Sequence, residues 1–166
     1  KKKAFQKIPS GDVTNKLLKK NFIGMCTLII RKKAYFELTR GFDPNLEIIG
    51  DYDLCLRLSK NWKLISLQSP LSIYRWHNEN LSNKRSILNF KELIYWYKKN
   101  SNFQKFKNYK FLKNFAHFHL SKSYILNYEK IKNFKEIPFL NLVSQIKIII
   151  LIIIPTGVLR RLRKIF

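Results

Sequence analysis

At 166 residues the chain is one ordinary domain or a large piece of one, and its 46% hydrophobic content is enough for a core, which excludes wholesale disorder. Its 33 Lys and Arg against 10 Asp and Glu give a formal charge of +23, which draws it to polyanions: nucleic acid, anionic lipid headgroups or phosphate-bearing substrates. Cys26 and Cys55 sit inside apolar runs without metal-ligand spacing, so both read as buried free thiols in a reducing compartment rather than as a disulfide or zinc site.

Lys1-Lys2-Lys3 is followed by polar residues instead of an apolar core, so no secretory signal is read there, and the pattern enters as if midway through a fold. Pro9-Ser10-Gly11-Asp12 is a turn, and Val13 to Lys20 is a short helix with Asp12 or Thr14 near its start. Met25 to Ile30 is apolar, of strand length and rich in β-branched residues, which predicts a buried strand. Lys32 to Thr39 predicts a two-turn helix closed by Gly41 in the left-handed position. Phe42 to Gly50 is a flexible loop turned by Asp43-Pro44-Asn45 and packed down by Leu46, Ile48 and Ile49.

Gly50-Asp51-Tyr52-Asp53-Leu54-Cys55-Leu56-Arg57-Leu58 then opens a helix running to Lys60. Asp51 or a neighbour at this junction reads as a cap, its carboxylate accepting from first-turn amides and kept ionised by the helix dipole. A fixed, ionised carboxylate at a loop-to-helix junction is also one form that a general base takes. Asp53 lies about 200° further round the helix, which suits positioning more than proton abstraction. Lys63 to Gln68 and Leu71 to Trp76 predict two strands around Ser69-Pro70.

Several of these pieces recur together in a known order: an apolar run before Arg31-Lys32-Lys33, then Arg40-Gly41-Phe42-Asp43, Gly50-Asp51-Tyr52-Asp53, Tyr74-Arg75-Trp76-His77 and Asn80-Leu81-Ser82. In order and spacing, residues 8–83 resemble the second half of the catalytic domain of bacterial family 2 glycosyltransferases. Two positions depart from that pattern: Arg40 stands where the family has a first glycine, and Gly50 where it has a glutamate.

The resemblance implies an α/β fold, the C-terminal portion of a GT-A (Rossmann-like) domain over 1–83, followed by a mainly helical extension. It implies an inverting hexosyltransferase of surface polysaccharide synthesis, taking a nucleotide-sugar donor and a saccharide or lipid-linked acceptor. Asp51 is then the catalytic base, and Gly41, Phe42, Asp53, Arg75 and Trp76 position acceptor and substrate. Arg75 pairs with the diphosphate or with Asp53, and Trp76 is a sugar platform or a core residue. His77 is the candidate ligand of a divalent metal, Mn2+ or Mg2+, most of whose other ligands lie in a nucleotide-binding half not found in this sequence. A fragment without that half is expected to be inactive alone.

From Lys84 to about Lys135 basic and aromatic residues alternate at helical spacing, predicting helices over 86–99 and 103–128. That interleaving also keeps open a nucleic-acid-binding module, although no specific nucleic-acid partner is expected. The Gly50 departure keeps open an inactive membrane-surface scaffold. Over 136–166, Ile146 to Ile154 is apolar except for Lys147 and precedes the basic run Arg160 to Lys164. The uninterrupted apolar run is shorter than the ~20 residues of a spanning helix. It predicts a helix lying on an anionic membrane surface, peripheral at the cytoplasmic face of the inner membrane.

Overall fold

The computed structural model describes residues 7–75, 77, 80–126, 135–154 and 158. Seven α-helices are named here in chain order: α1 Thr14–Lys19, α2 Lys32–Phe36, α3 Gly50–Ser59, α4 Leu81–Lys84, α5 Ser86–Lys99, α6 Tyr109–Leu126 and α7 Leu142–Ile153. The chain forms two compact units, Lys1–Lys84 with Asn100–Tyr109, and Arg85–Lys99 with Lys110–Phe166.

The first unit is built on α1 against α3. Leu17 and Leu18 of α1 and Leu54 and Leu56 of α3 are fully buried, each contributing on the order of 1.5–3 kcal/mol. Two hydrogen bonds fix the register: Thr14 Oγ1 donates to the Ser59 carbonyl at 2.7 Å, and the Tyr52 hydroxyl donates to the Leu17 carbonyl at 2.7 Å. Asp12 Oδ1 accepts from the Thr14 amide at 3.2 Å, placing the expected acid just before α1. Gly11 has φ +83°, the left-handed region that the turn requires. The segment 100–109 returns to this unit through Asn108 Nδ2, which donates to the Asn15 carbonyl at 2.7 Å, and through Phe103, fully buried beneath Lys60 Nζ.

The α/β expectation is overturned: among the described residues there is no strand or sheet, and the fold is mainly helical. The reason lies in pairing. Leu28 and Arg31 have extended backbone, but 28–31 forms no ladder among the described residues, and Met25–Thr27 closes into a 3-10 turn. Extended conformation is a local property, whereas a strand needs a partner for its amides and carbonyls. Ile29 is accordingly 95% exposed instead of buried. Residues 63–68 likewise make only one bridge, Gly11 with Leu64. Beyond it side chains replace the ladder: Gln68 Oε1 accepts from the Ile8 amide, and Gln68 Nε2 and Ser66 Oγ both donate to the Ile8 carbonyl. Residues 71–75 are exposed and outside any strand.

In the second unit, Leu112, Ala116, Leu120 and Tyr124 recur every four residues and bury one face of α6, while Leu93 and Trp96 bury α5. The predicted helix over 86–99 is thus present. The one over 103–128 begins later, at Tyr109, after a 3-10 turn at Ser101–Phe103. Asn100, Ser101 and Asn102 there have side chains that compete for backbone groups and disfavour helix. Its expected last residues, 127 and 128, lie outside the described residues. Asn114 brackets α7 onto α6: its Oδ1 accepts from the Asn141 amide at 2.9 Å and its Nδ2 donates to Ser144 Oγ at 3.1 Å. Asn141 also caps α7, accepting from the Ser144 amide at 2.9 Å. Ile125, Leu140 and Ile148 form the core beneath.

Candidate functional site

The sequence brings two carboxylates to the start of α3, and the fold gives them opposite environments. Ile49 caps the helix without a side-chain bond, so Gly50 is its first residue and Asp51 stands in the first turn rather than at the cap. Asp51 Oδ1 accepts from the next amide, that of Tyr52, at 2.6 Å, and the side chain is half-buried. Burial raises its pKa above the ordinary carboxylate value, and the amides of Tyr52 and of Asp51 itself oppose the rise. Desolvation thus outweighs the first-turn amides that the sequence placed beside this carboxylate. A carboxylate raised toward neutrality is the stronger proton acceptor.

Asp53 is fully buried and paired. Its Oδ2 accepts from Arg57 Nε at 2.9 Å and from Arg57 Nη2 at 2.7 Å, the four-residue spacing that puts both on one face of α3. Arg57 thus fills the role that Arg75 was expected to share. It does more, because Nη1 donates to the Arg40 carbonyl at 2.8 Å and Nη2 to the Gly41 carbonyl at 2.6 Å. One guanidinium holds a carboxylate and two successive carbonyls, which its planar fork of donors allows and an ammonium would not.

The Arg40–Asp43 loop is consequently seated on the first turns of α3. Arg40 Nη2 lies 3.1 Å from Asp43 Oδ2, and Asp43 Oδ1 accepts from both the amide and Nδ2 of Asn45. Asp43, Leu46 and Ile49 are buried, so the segment expected to be flexible is tied down. Gly41 does not close α2 in the left-handed region; α2 ends at Phe36, and a Cβ on Gly41 would meet the hydroxyl end of the Tyr35 side chain. Phe42 is 50% exposed and approaches Gly50, whose missing Cβ would lie 3.7 Å from Phe42 Cδ1. Gly41 and Asp53 are joined through Arg57, and Phe42 lies against Gly50, the residue before Asp51.

The other group is organised around a residue to which sequence reasoning assigned no role. Asn80 is buried; its Oδ1 accepts from the His77 amide at 3.2 Å, and its Nδ2 donates to the Tyr74 hydroxyl at 2.7 Å and the Arg75 carbonyl at 3.2 Å. Asn80 therefore shapes the turn carrying Arg75 and His77, both exposed. Its signal was the trailing Asn-Leu-Ser of the motif. Trp76 lies outside the described residues. Among the described residues no group of three His, Cys, Asp or Glu side chains gathers into a metal-holding cluster. His77 alone does not make such a site.

No protein-family model, curated protein or solved structure matches the chain.

Proposed function

We propose that this chain carries the base and the acceptor-side wall of an inverting glycosyl-transfer site. The observation that supports it is the clamp: Arg57, held by Asp53, seats the Arg40–Gly41 carbonyls beside the turn that presents Asp51. Buried ionic hardware spent on a surface loop suits a loop whose position matters for binding.

In this reading Asp51 takes the proton of an acceptor hydroxyl as the oxygen attacks the anomeric carbon of a nucleotide-activated sugar. A new carbon–oxygen bond forms, the bond to the diphosphate breaks with its electron pair leaving on the diphosphate, and configuration inverts. The raised pKa of Asp51 helps, because the hydroxyl becomes acidic only as the new bond forms. Phe42, half-exposed next to Gly50, offers an apolar face to a saccharide acceptor. Four of the thirteen aromatics over 84–135, Trp96, Phe103, Tyr109 and Tyr124, are core residues, which weakens the pattern that spoke for a nucleic-acid surface.

The test measures nucleoside diphosphate release from a panel of nucleotide sugars with saccharide acceptors, using the chain together with any nucleotide-binding half encoded upstream of it. Asp51→Asn should lower turnover by ~10²-fold or more and leave nucleotide-sugar affinity nearly unchanged. Normal turnover by Asp51→Asn in a protein that does transfer sugar would overturn the assignment.

A further inference from the structure

Helix α7 is docked on one side only. Ser144 and Ile148 are buried and Leu151 and Ile152 pack against the core below, while Leu142, Val143, Ile146, Ile149, Ile150 and Ile153 are 48–73% exposed. At about 100° per residue the exposed six fall within roughly 120° of arc, a continuous apolar stripe with no charged member. Lys147 sits at the border of that stripe, about 40° beyond its edge, where a long amine can reach outward while its stem lies along apolar surface. From Ile137 to the last residue the sequence contains no acid, and Arg160, Arg161, Arg163 and Lys164 follow the helix.

We infer that α7 is a docking helix for an anionic lipid surface, lying in its plane with this stripe in the acyl boundary and Lys147 at the headgroups. The length supports lying over crossing: 12 residues rise only about 18 Å, against a hydrocarbon core of about 30 Å, and among the described residues no helix is long and apolar enough to cross a membrane. Charge selects the partner. A chain of +23 gains from an anionic bilayer, whereas a second copy seated on α7 would bring like charges together. Six side chains also fall far short of the roughly 20–30 residues a side that a stable protein interface uses. The inference is independent of the transfer chemistry proposed above.

The experiment is vesicle flotation of the whole chain on phosphatidylglycerol–phosphatidylcholine vesicles and on phosphatidylcholine alone. The chain should float with the anionic vesicles, weakly with the neutral ones, and less as salt screens the charge. The triple variant Ile146→Ser, Ile149→Ser, Ile153→Ser alters only exposed positions and should cut the bound fraction about tenfold or more. The control Ile29→Ser, Ile65→Ser removes still more exposed apolar side chains of the other unit and should float like the parent. Undiminished flotation of the triple variant overturns the inference, as does full transfer of the parent to a single-stranded nucleic acid competitor. A parent that does not float but sediments as a dimer, which the triple variant dissolves, assigns the stripe to a second copy instead.

Discussion

Arg57 holds Gly41 by its carbonyl, 16 residues away in sequence and 2.6 Å away in space, while the same nitrogen holds Asp53 at 2.7 Å. The ion pair within α3 is therefore also the fastener of the loop before it.

Removing that fastener should cost stability and position together. Arg57→Met leaves the fully buried Asp53 without this cation and should destabilise the fold by about 2–4 kcal/mol. Arg57→Lys keeps the charge but cannot serve two carbonyls and a carboxylate at once, so it should recover only part of the loss. Denaturant midpoints check both, and equal stability of Lys and Arg at this position would show the forked geometry to be unimportant.

Asp51 should be a liability to the fold. Its folded pKa is raised, so the folded state binds the proton more tightly than the unfolded chain does. Its contribution to stability is complete below the unfolded carboxylate value, about 4, and is lost as pH rises through the folded value. Asp51→Asn should therefore melt higher than the parent at pH 7, with the difference closing on acidification toward pH ~3. A neutral-pH melting point below the parent's would contradict the burial argument.

The two glycines of the site should respond oppositely to alanine. Gly50 has room for a Cβ, with Phe42 at an ordinary 3.7 Å, so Gly50→Ala should stabilise by about 0.4–1 kcal/mol through the unfolded state. Gly41→Ala meets the end of the Tyr35 side chain, which must turn aside, and should cost about 0.5–1.5 kcal/mol. Tyr35→Phe in the Gly41→Ala background removes the atom nearest the new methyl and should restore part of that loss. Independent, additive effects of the two changes would refute the contact.

The thiols should separate by reactivity. Cys26 is exposed, contrary to the sequence expectation, because the apolar run that carries it is not covered by a sheet; its Sγ lies 3.2 Å from Ser72 Oγ. Cys55 is buried, and burial together with the negative charge of Asp51 pushes its pKa up to about 12. An alkylating reagent should label Cys26 alone in the native chain and both cysteines after denaturation, read by intact mass.

What the sequence made legible was local. Asp12 before α1, the apolar period of α5 and the junction at Gly50-Asp51 are written in neighbouring residues, and each stands where it was expected to within a residue or two. The misses concern partners. A β-branched run such as Met25 to Ile30 predicts an extended backbone but not a ladder, since the ladder depends on another segment. The upward shift of the Asp51 pKa was not legible either, because burial is invisible to local sequence. Asp53–Arg57 was readable from its spacing, but the two carbonyls that Arg57 also binds were not. Asn80 showed only as a motif letter until its three hydrogen bonds were seen.

The unladdered segments have a colloidal consequence. Ile29, Ile65, Leu67, Leu71 and Ile73 are 65–95% exposed on backbone that is not in any strand, the kind of edge along which chains aggregate. Mutual repulsion at +23 is what keeps such edges apart, and it is strongest well below the pI of about 10.2. Added salt shortens the reach of that repulsion to a few ångströms without weakening apolar attraction. Concentrated stocks should therefore cloud as salt is raised and clear on dilution into low-salt buffer, the reverse of ordinary salting-in.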